Sequence, residues 1–149
     1  MRKIGLAQHP SAPAAFVEDV HQALLLIYDP HRLAKSPLLT SFMLHHLSNP
    51  TLALRDILLE GIEALKPPDT VPVHTAAWRM YDVLRYRYIV QLPQHEIAAS
   101  LALSQRHVRR YQQAALDVLT NHLIRRHALV LAPPASDATP SQSSADTTA

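Results

Sequence analysis

Residues 104 to 113, Ser-Gln-Arg-His-Val-Arg-Arg-Tyr-Gln-Gln, hold the densest run of long hydrogen-bond donors in the chain. Gln105, Arg106, His107, Arg109 and Arg110 surround a single apolar residue, Val108. On a helix that pattern buries Val108 and presents the rest to solvent. Guanidinium and carboxamide groups held this way can pair with the edges of bases and with phosphate oxygens, provided the helix enters a major groove. The chemistry is recognition by hydrogen bonds and charge, with no bond broken.

Such donors need an element to aim them. Ser104 stands where a helix N-cap belongs, its hydroxyl able to accept a backbone N–H from the first turn. Val108, Ala115 and Leu119 continue an apolar stripe behind it, with Tyr111 and Leu116 alongside. Upstream, Ile97, Ala98 and Leu101 form the stripe of a shorter helix with Pro93 at its first position. Two helices joined across only Ala102 and Leu103 must cross steeply, which is the helix-turn-helix arrangement.

These residues resemble the promoter-reading C-terminal domain of bacterial sigma factors and the related helix-turn-helix of LuxR-type regulators. The shared pattern is Glu96-Ile97-Ala98, Leu101, Leu103-Ser104, Val108 and Ala114-Ala115-Leu116, extended upstream by Leu84, Arg87-Tyr88-Ile89 and Leu92. It covers roughly a third of the chain. The resemblance implies base-edge contacts through Gln105, Arg106 and Arg110. Phosphate contacts would come from Gln94, His95, His107, Arg109 and Gln113. It gives Glu96 a structural role at the leading helix, near Arg110 or the recognition helix. The family usually has Gly in the turn where this chain has Ala102, and a left-handed backbone costs a non-Gly residue about 1 kcal/mol. A sigma factor proper is a weaker reading, because no aromatic, basic segment of the promoter-melting type precedes the motif.

Composition agrees with an all-α protein. Of 149 residues only two are glycine, few are aromatic, and Leu and Ala abound. The absence of cysteine excludes disulfides and thiolate metal sites. No apolar run is long enough to span a bilayer and no signal segment opens the chain, so a cytoplasmic protein without membrane contact is expected. The overall charge of +2 is unevenly spread. Between residues 72 and 127, Arg79, Arg85, Arg87, Arg106, Arg109, Arg110, Arg125 and Arg126 face only Asp82, Glu96 and Asp117, whereas acids slightly outnumber bases before residue 72. Every cation in that half is Arg, the side chain suited to bidentate contact with guanine or phosphate.

The remaining organisation follows from turn and cap signals. Residues 1–12 read as a flexible arm in which Arg2 and Lys3 could touch DNA. Residues 13–66 read as a small helical bundle, a candidate dimerisation or partner-binding piece. Its first helix spans about Pro13 to Tyr28, with Phe16, Val20, Ala23, Leu24 and Ile27 inward. Asp29-Pro30, Ser36-Pro37 and Asn49-Pro50 each set a cap residue before a first-turn Pro. They predict a short turn to Lys35, a helix from Pro37 to Leu47, and another from Pro50 to Leu65 carrying Leu52, Ile57, Leu58, Ile62 and Leu65. Residues 67–73 are a Pro-rich linker. Residues 74–127 form the helix-turn-helix domain, led by a long helix from His74 to Gln91 with Trp78, Tyr81, Leu84 and Tyr88 as hydrophobic support. Residues 128–149, rich in Pro, Ala, Ser, Thr and Asp, read as a disordered tail.

Catalytic and metal chemistry find no footing. Two glycines cannot build a phosphate-cradling loop, and no nucleophile elbow or acid/base pair is present. The ten histidines include the adjacent His45-His46, which fall on different faces of a helix, and no i, i+4 pair with a carboxylate partner. No enzyme activity, metal or cofactor is expected. The function implied is sequence-specific binding of double-stranded DNA for transcriptional regulation, with a homodimer as a natural assembly. The alternative is a protein-interaction adaptor that keeps the fold and docks on RNA polymerase or a signalling partner.

Overall fold

A computed structural model of the chain describes residues 12–127; the expectations for residues 1–11 of the arm and for the tail (residues 128–149) lie outside them. The described residues form seven α-helices and one π-helical turn, with no strand among them. α1 (Ala14–Leu25) turns Phe16, Val20, Ala23 and Leu24 inward. It stops three residues short of Tyr28 because Pro30 excludes the helical conformation at Asp29, which sits at φ −121°, ψ 82°. Asp29 then caps α2 (Pro30–Leu33) by accepting the Arg32 N–H at 3.1 Å. Asn49 does the same for α4 (Pro50–Ala64) through the Leu52 N–H, also at 3.1 Å.

α3 (Leu38–Ser41) is far shorter than the expected Pro37–Leu47 helix. Met43 adopts a left-handed backbone at φ 57°, and the Leu44 N–H reaches back to the Leu39 carbonyl at 2.8 Å. This closure carries Leu44 into the core, where a continuing helix would have aimed it elsewhere, and leaves Met43 75% exposed. The stripe of α4 keeps the expected Leu58 and Ile62 inward and adds Leu54 and Gly61, while Ile57 and Leu65 are partly buried and Leu52 is 41% exposed. At Gly61 α4 approaches α7 so closely that a Cβ would lie 2.9 Å from Leu119 Cδ1 and 3.0 Å from Leu123 Cδ2.

The segment after α4 is fastened rather than free. Pro67 is buried, the Trp78 indole N–H donates to the Val71 carbonyl at 2.9 Å, and the Thr75 hydroxyl donates to the Pro72 carbonyl at 2.9 Å. The expected helix from His74 to Gln91 is two pieces: α5 (Ala76–Leu84) and a π-helical turn (Arg85–Val90). The wide turn ends at Gln91, left-handed at φ 67°, with the Leu92 N–H bonded to the Tyr86 carbonyl at 2.8 Å. α6 (Gln94–Leu101) and α7 (Gln105–Arg126) complete the chain.

Two clusters hold these elements together. The larger joins Phe16, Val20 and Leu24 of α1 and Leu54, Leu58 and Ile62 of α4 to Tyr81 and Leu84 of α5. Tyr88 of the π turn and Ala115, Leu116, Leu119 and Leu123 of α7 complete it. This core therefore includes residues from both sides of the Pro-rich segment. The smaller consists of Val83, Ile97, Ala98 and Val108, ringed by Tyr86, Leu92, Leu101, Leu103 and Tyr111. α7 belongs to both clusters: its first turns pack with α6, and its remaining length packs against α1, α4 and α5.

Candidate nucleic-acid interface

The turn between α6 and α7 is set by backbone geometry. Ala102 is left-handed at φ 56°, ψ 45°, and the Leu103 N–H closes onto the Ala98 carbonyl at 2.9 Å. This is the double closure that ends many helices, here without the usual glycine. Ser104 follows in extended conformation and caps α7, its Oγ accepting the His107 N–H at 3.1 Å. The same oxygen lies 2.9 Å from His107 Nδ1.

A residue that sequence spacing did not single out for this role secures the turn. Arg79, on α5, donates from its guanidinium to the Leu101 carbonyl at 2.7 Å. That carbonyl lies at the C-terminal end of α6, where intrahelical partners run out and the helix dipole favours a cation. The contact spans 22 positions in sequence, so no local pattern announces it. Arg87 is likewise engaged internally, 5.9 Å above the Tyr88 ring. Arg125 and Arg126 lie in the last turn of α7, where positive charge complements the helix dipole. The arginine excess therefore serves several ends.

Val108 is fully buried against Ile97 and Ala98, and this orients everything around it. Gln105, Arg106, His107, Arg109, Arg110 and Gln113 are all exposed. With about 100° per residue, Arg106 and Arg110 fall in the middle of the solvent face of α7. Arg109 and His107 fall on opposite flanks of it, and Gln113 follows one flank further along. Gln105, in the first turn, lies closer to the Val108 side. On α6, Gln94 is half-buried and His95 exposed, both in the first turn, where free backbone N–H groups favour an anion.

Glu96 corrects the expectation only as to Arg110. It is exposed in the first turn of α6, where a carboxylate suits the helix dipole, and its near neighbour is His95 Nε2 at 4.0 Å. No ion pair links it to Arg110 among the described residues. Further along the outward face of α7, Asp117 is exposed and marks where a polyanion would meet negative charge.

Among the described residues no group of three or more His, Cys, Asp or Glu is placed to hold a metal ion. Nor is any described helix long and apolar enough to cross a membrane.

Two helices joined by a tight left-handed turn, the second presenting an arginine-rich face clear of its own packing, define a helix-turn-helix of the DNA-reading type. Residues 79–121 match the family model described as Sigma-70, region 4, a helix-turn-helix DNA-binding region of sigma factors. The matched segment runs from Arg79 through α5, the π turn and α6 into α7 as far as Asn121. This segment is a sigma-like helix-turn-helix domain. No curated protein and no solved structure matches the chain.

Proposed function

We propose that this chain binds double-stranded DNA sequence-specifically and thereby regulates transcription. The observation that carries the reading is the exposed donor face on the first turns of α7, on a helix whose rear half is locked in the core. In this reading α7 enters the major groove. Gln105, Arg106 and Arg110 meet base edges, while Gln94, His95, His107, Arg109 and Gln113 fix the register on phosphates. Two copies bound over two half-sites would raise affinity, as isolated helix-turn-helix units require.

The test is fluorescence-anisotropy binding to a mixed-sequence duplex across a salt series. Wild type should bind with steep salt dependence, and the Arg106/Arg109/Arg110→Ala variant should bind more weakly with a slope shallower by about one, the share of Arg109. Absence of binding at low salt by a protein folded by circular dichroism would defeat the proposal.

One observation favours a second reading, that of a protein-interaction adaptor. Leu25, Tyr28 and Leu52 are large and exposed, and Leu52 borders a groove of about 130 Å³ that Ile27, Leu33 and Arg55 also line. An adaptor docking there on RNA polymerase or a signalling protein would tolerate the triple arginine substitution in its partner assay. A DNA reader would not.

A further inference from the structure

The Ser104 hydroxyl has two partners. Its oxygen accepts the His107 backbone N–H at 3.1 Å and lies 2.9 Å from Nδ1 of the same residue. A hydroxyl has one proton and two lone pairs. Donating the proton to Nδ1 while accepting the N–H uses both functions. The reverse arrangement would put two donors on one oxygen and leave the hydroxyl proton without a partner among the described residues. With Nδ1 as acceptor, the neutral ring carries its proton on Nε2.

The imidazole held this way lines an open notch of about 440 Å³ together with Arg110, Tyr111 and Ala114. These positions are spaced i, i+3, i+4 and i+7 and so share one face of α7. Three of them carry donors, no carboxylate lines the notch, and Ala114 leaves it roomy.

We propose that Ser104 is a positioning residue that presents His107 as an Nε2–H donor to a DNA backbone phosphodiester seated in this notch between His107 and Tyr111. The proposal rests on the DNA-binding reading and adds to it the form in which His107 acts and the residue that fixes that form. Ser104 thus joins helix capping to phosphate recognition.

The first readout needs no DNA. In the full-length ¹⁵N-labelled chain at about pH 8.5, well above where an ordinary imidazole titrates, two-bond ¹H–¹⁵N spectra report which ring nitrogen carries the proton. Wild type and Ser104→Thr should show Nδ1 bare and Nε2 protonated at His107. Ser104→Gly keeps a tolerated N-cap residue but has no side-chain donor, so its His107 should become a mixture of tautomers while the melting curve stays close to wild type. In duplex binding at the same pH, Ser104→Gly should weaken affinity about threefold, the scale of one neutral hydrogen bond. Its salt slope should not change, because a neutral donor releases no counterion. Ser104→Thr should bind as wild type.

Protonated Nδ1 in the wild type overturns the proposal, as does wild-type affinity in Ser104→Gly or a salt slope lowered by about one in that variant. A wild type that binds no duplex removes the DNA-binding reading and the phosphate seat with it. That failure is separable from the Ser104–His107 pairing, which the spectra read on the free protein.

Discussion

Replacing Arg79 separates a residue that holds the reading unit from residues that touch DNA. Its guanidinium meets the Leu101 carbonyl at 2.7 Å in a half-buried setting, at the C-terminal end of α6. Hydrogen bonds to charged groups contribute about 1.5–3 kcal/mol, and partial exposure puts this one near the lower figure. Arg79→Met keeps most of the apolar stem and removes the charge, so packing is nearly preserved. The expected loss is about 1.5 kcal/mol by urea unfolding, or a fall of about 6 °C in melting temperature. Duplex affinity should drop because the turn between α6 and α7 loosens, yet the salt slope should stay at the wild-type value, as no phosphate contact has been removed. A slope reduced by about one would refute the reasoning, since it would mean that Arg79 neutralises a phosphate itself. Unchanged stability would refute it equally, by showing that water satisfies the Leu101 carbonyl as well as the guanidinium does.

Three other perturbations test the fold around the site. Gly61→Ala gains about 1 kcal/mol of helix propensity but sets a methyl group against the fully buried Leu119 at 2.9 Å. Overpacking costs about 1–3 kcal/mol, so the net result in urea melts should be a loss of about 1 kcal/mol, and a stabilised variant would contradict the close approach of α4 and α7. Ala102→Gly relieves a left-handed backbone at φ 56° and should raise stability by about 1 kcal/mol; a lower thermal midpoint would count against that geometry. His122 is held below the ordinary imidazole value by burial, then by Arg125 and Arg126, and His127 by burial, then by Arg126. The unfolded chain therefore binds protons more readily, so their contribution is complete above about pH 6.5 and is lost as pH falls into the lowered range. Melting temperature should be lower at pH 5.5 than at 7.5, and the His122→Asn/His127→Asn protein should show a smaller difference.

What could be read from the chain was whatever neighbours in sequence determine. Asp29 and Asn49 cap their helices through N–H groups three residues on, and the stripes of α1 and α6 follow from spacings within a few turns. The residues quoted for the sigma resemblance all lie inside the matched segment, because that motif is itself local. The failures have a different character. Met43 and Gln91 take left-handed backbones without glycine to flag them, which shortened α3 and closed the π turn. Leu52 and Leu54 are equally apolar, and only the assembled core decides which of them is buried. Arg79 with Leu101, Tyr81 with Glu63, and Tyr28 with the Ile89 carbonyl join positions 22, 18 and 61 apart. Such contacts depend on the assembled fold. For that reason a count of arginines could not distinguish those that face outward from those engaged within.

α7 is a single unbroken rod of 22 residues, about 33 Å long at 1.5 Å per residue, and its rear half is gripped by three other helices. Rotation about its axis is therefore governed by the grip, far from the tip. Adding or removing one residue within it would turn the two ends relative to each other by about 100°, carrying Arg106 and Arg110 off the outward face without altering either. The bundle is in this sense the hilt of the reading helix: it settles the azimuth at which the arginines are presented. A molecule that repacks α1 or α4 would acquire leverage over the tip without approaching it.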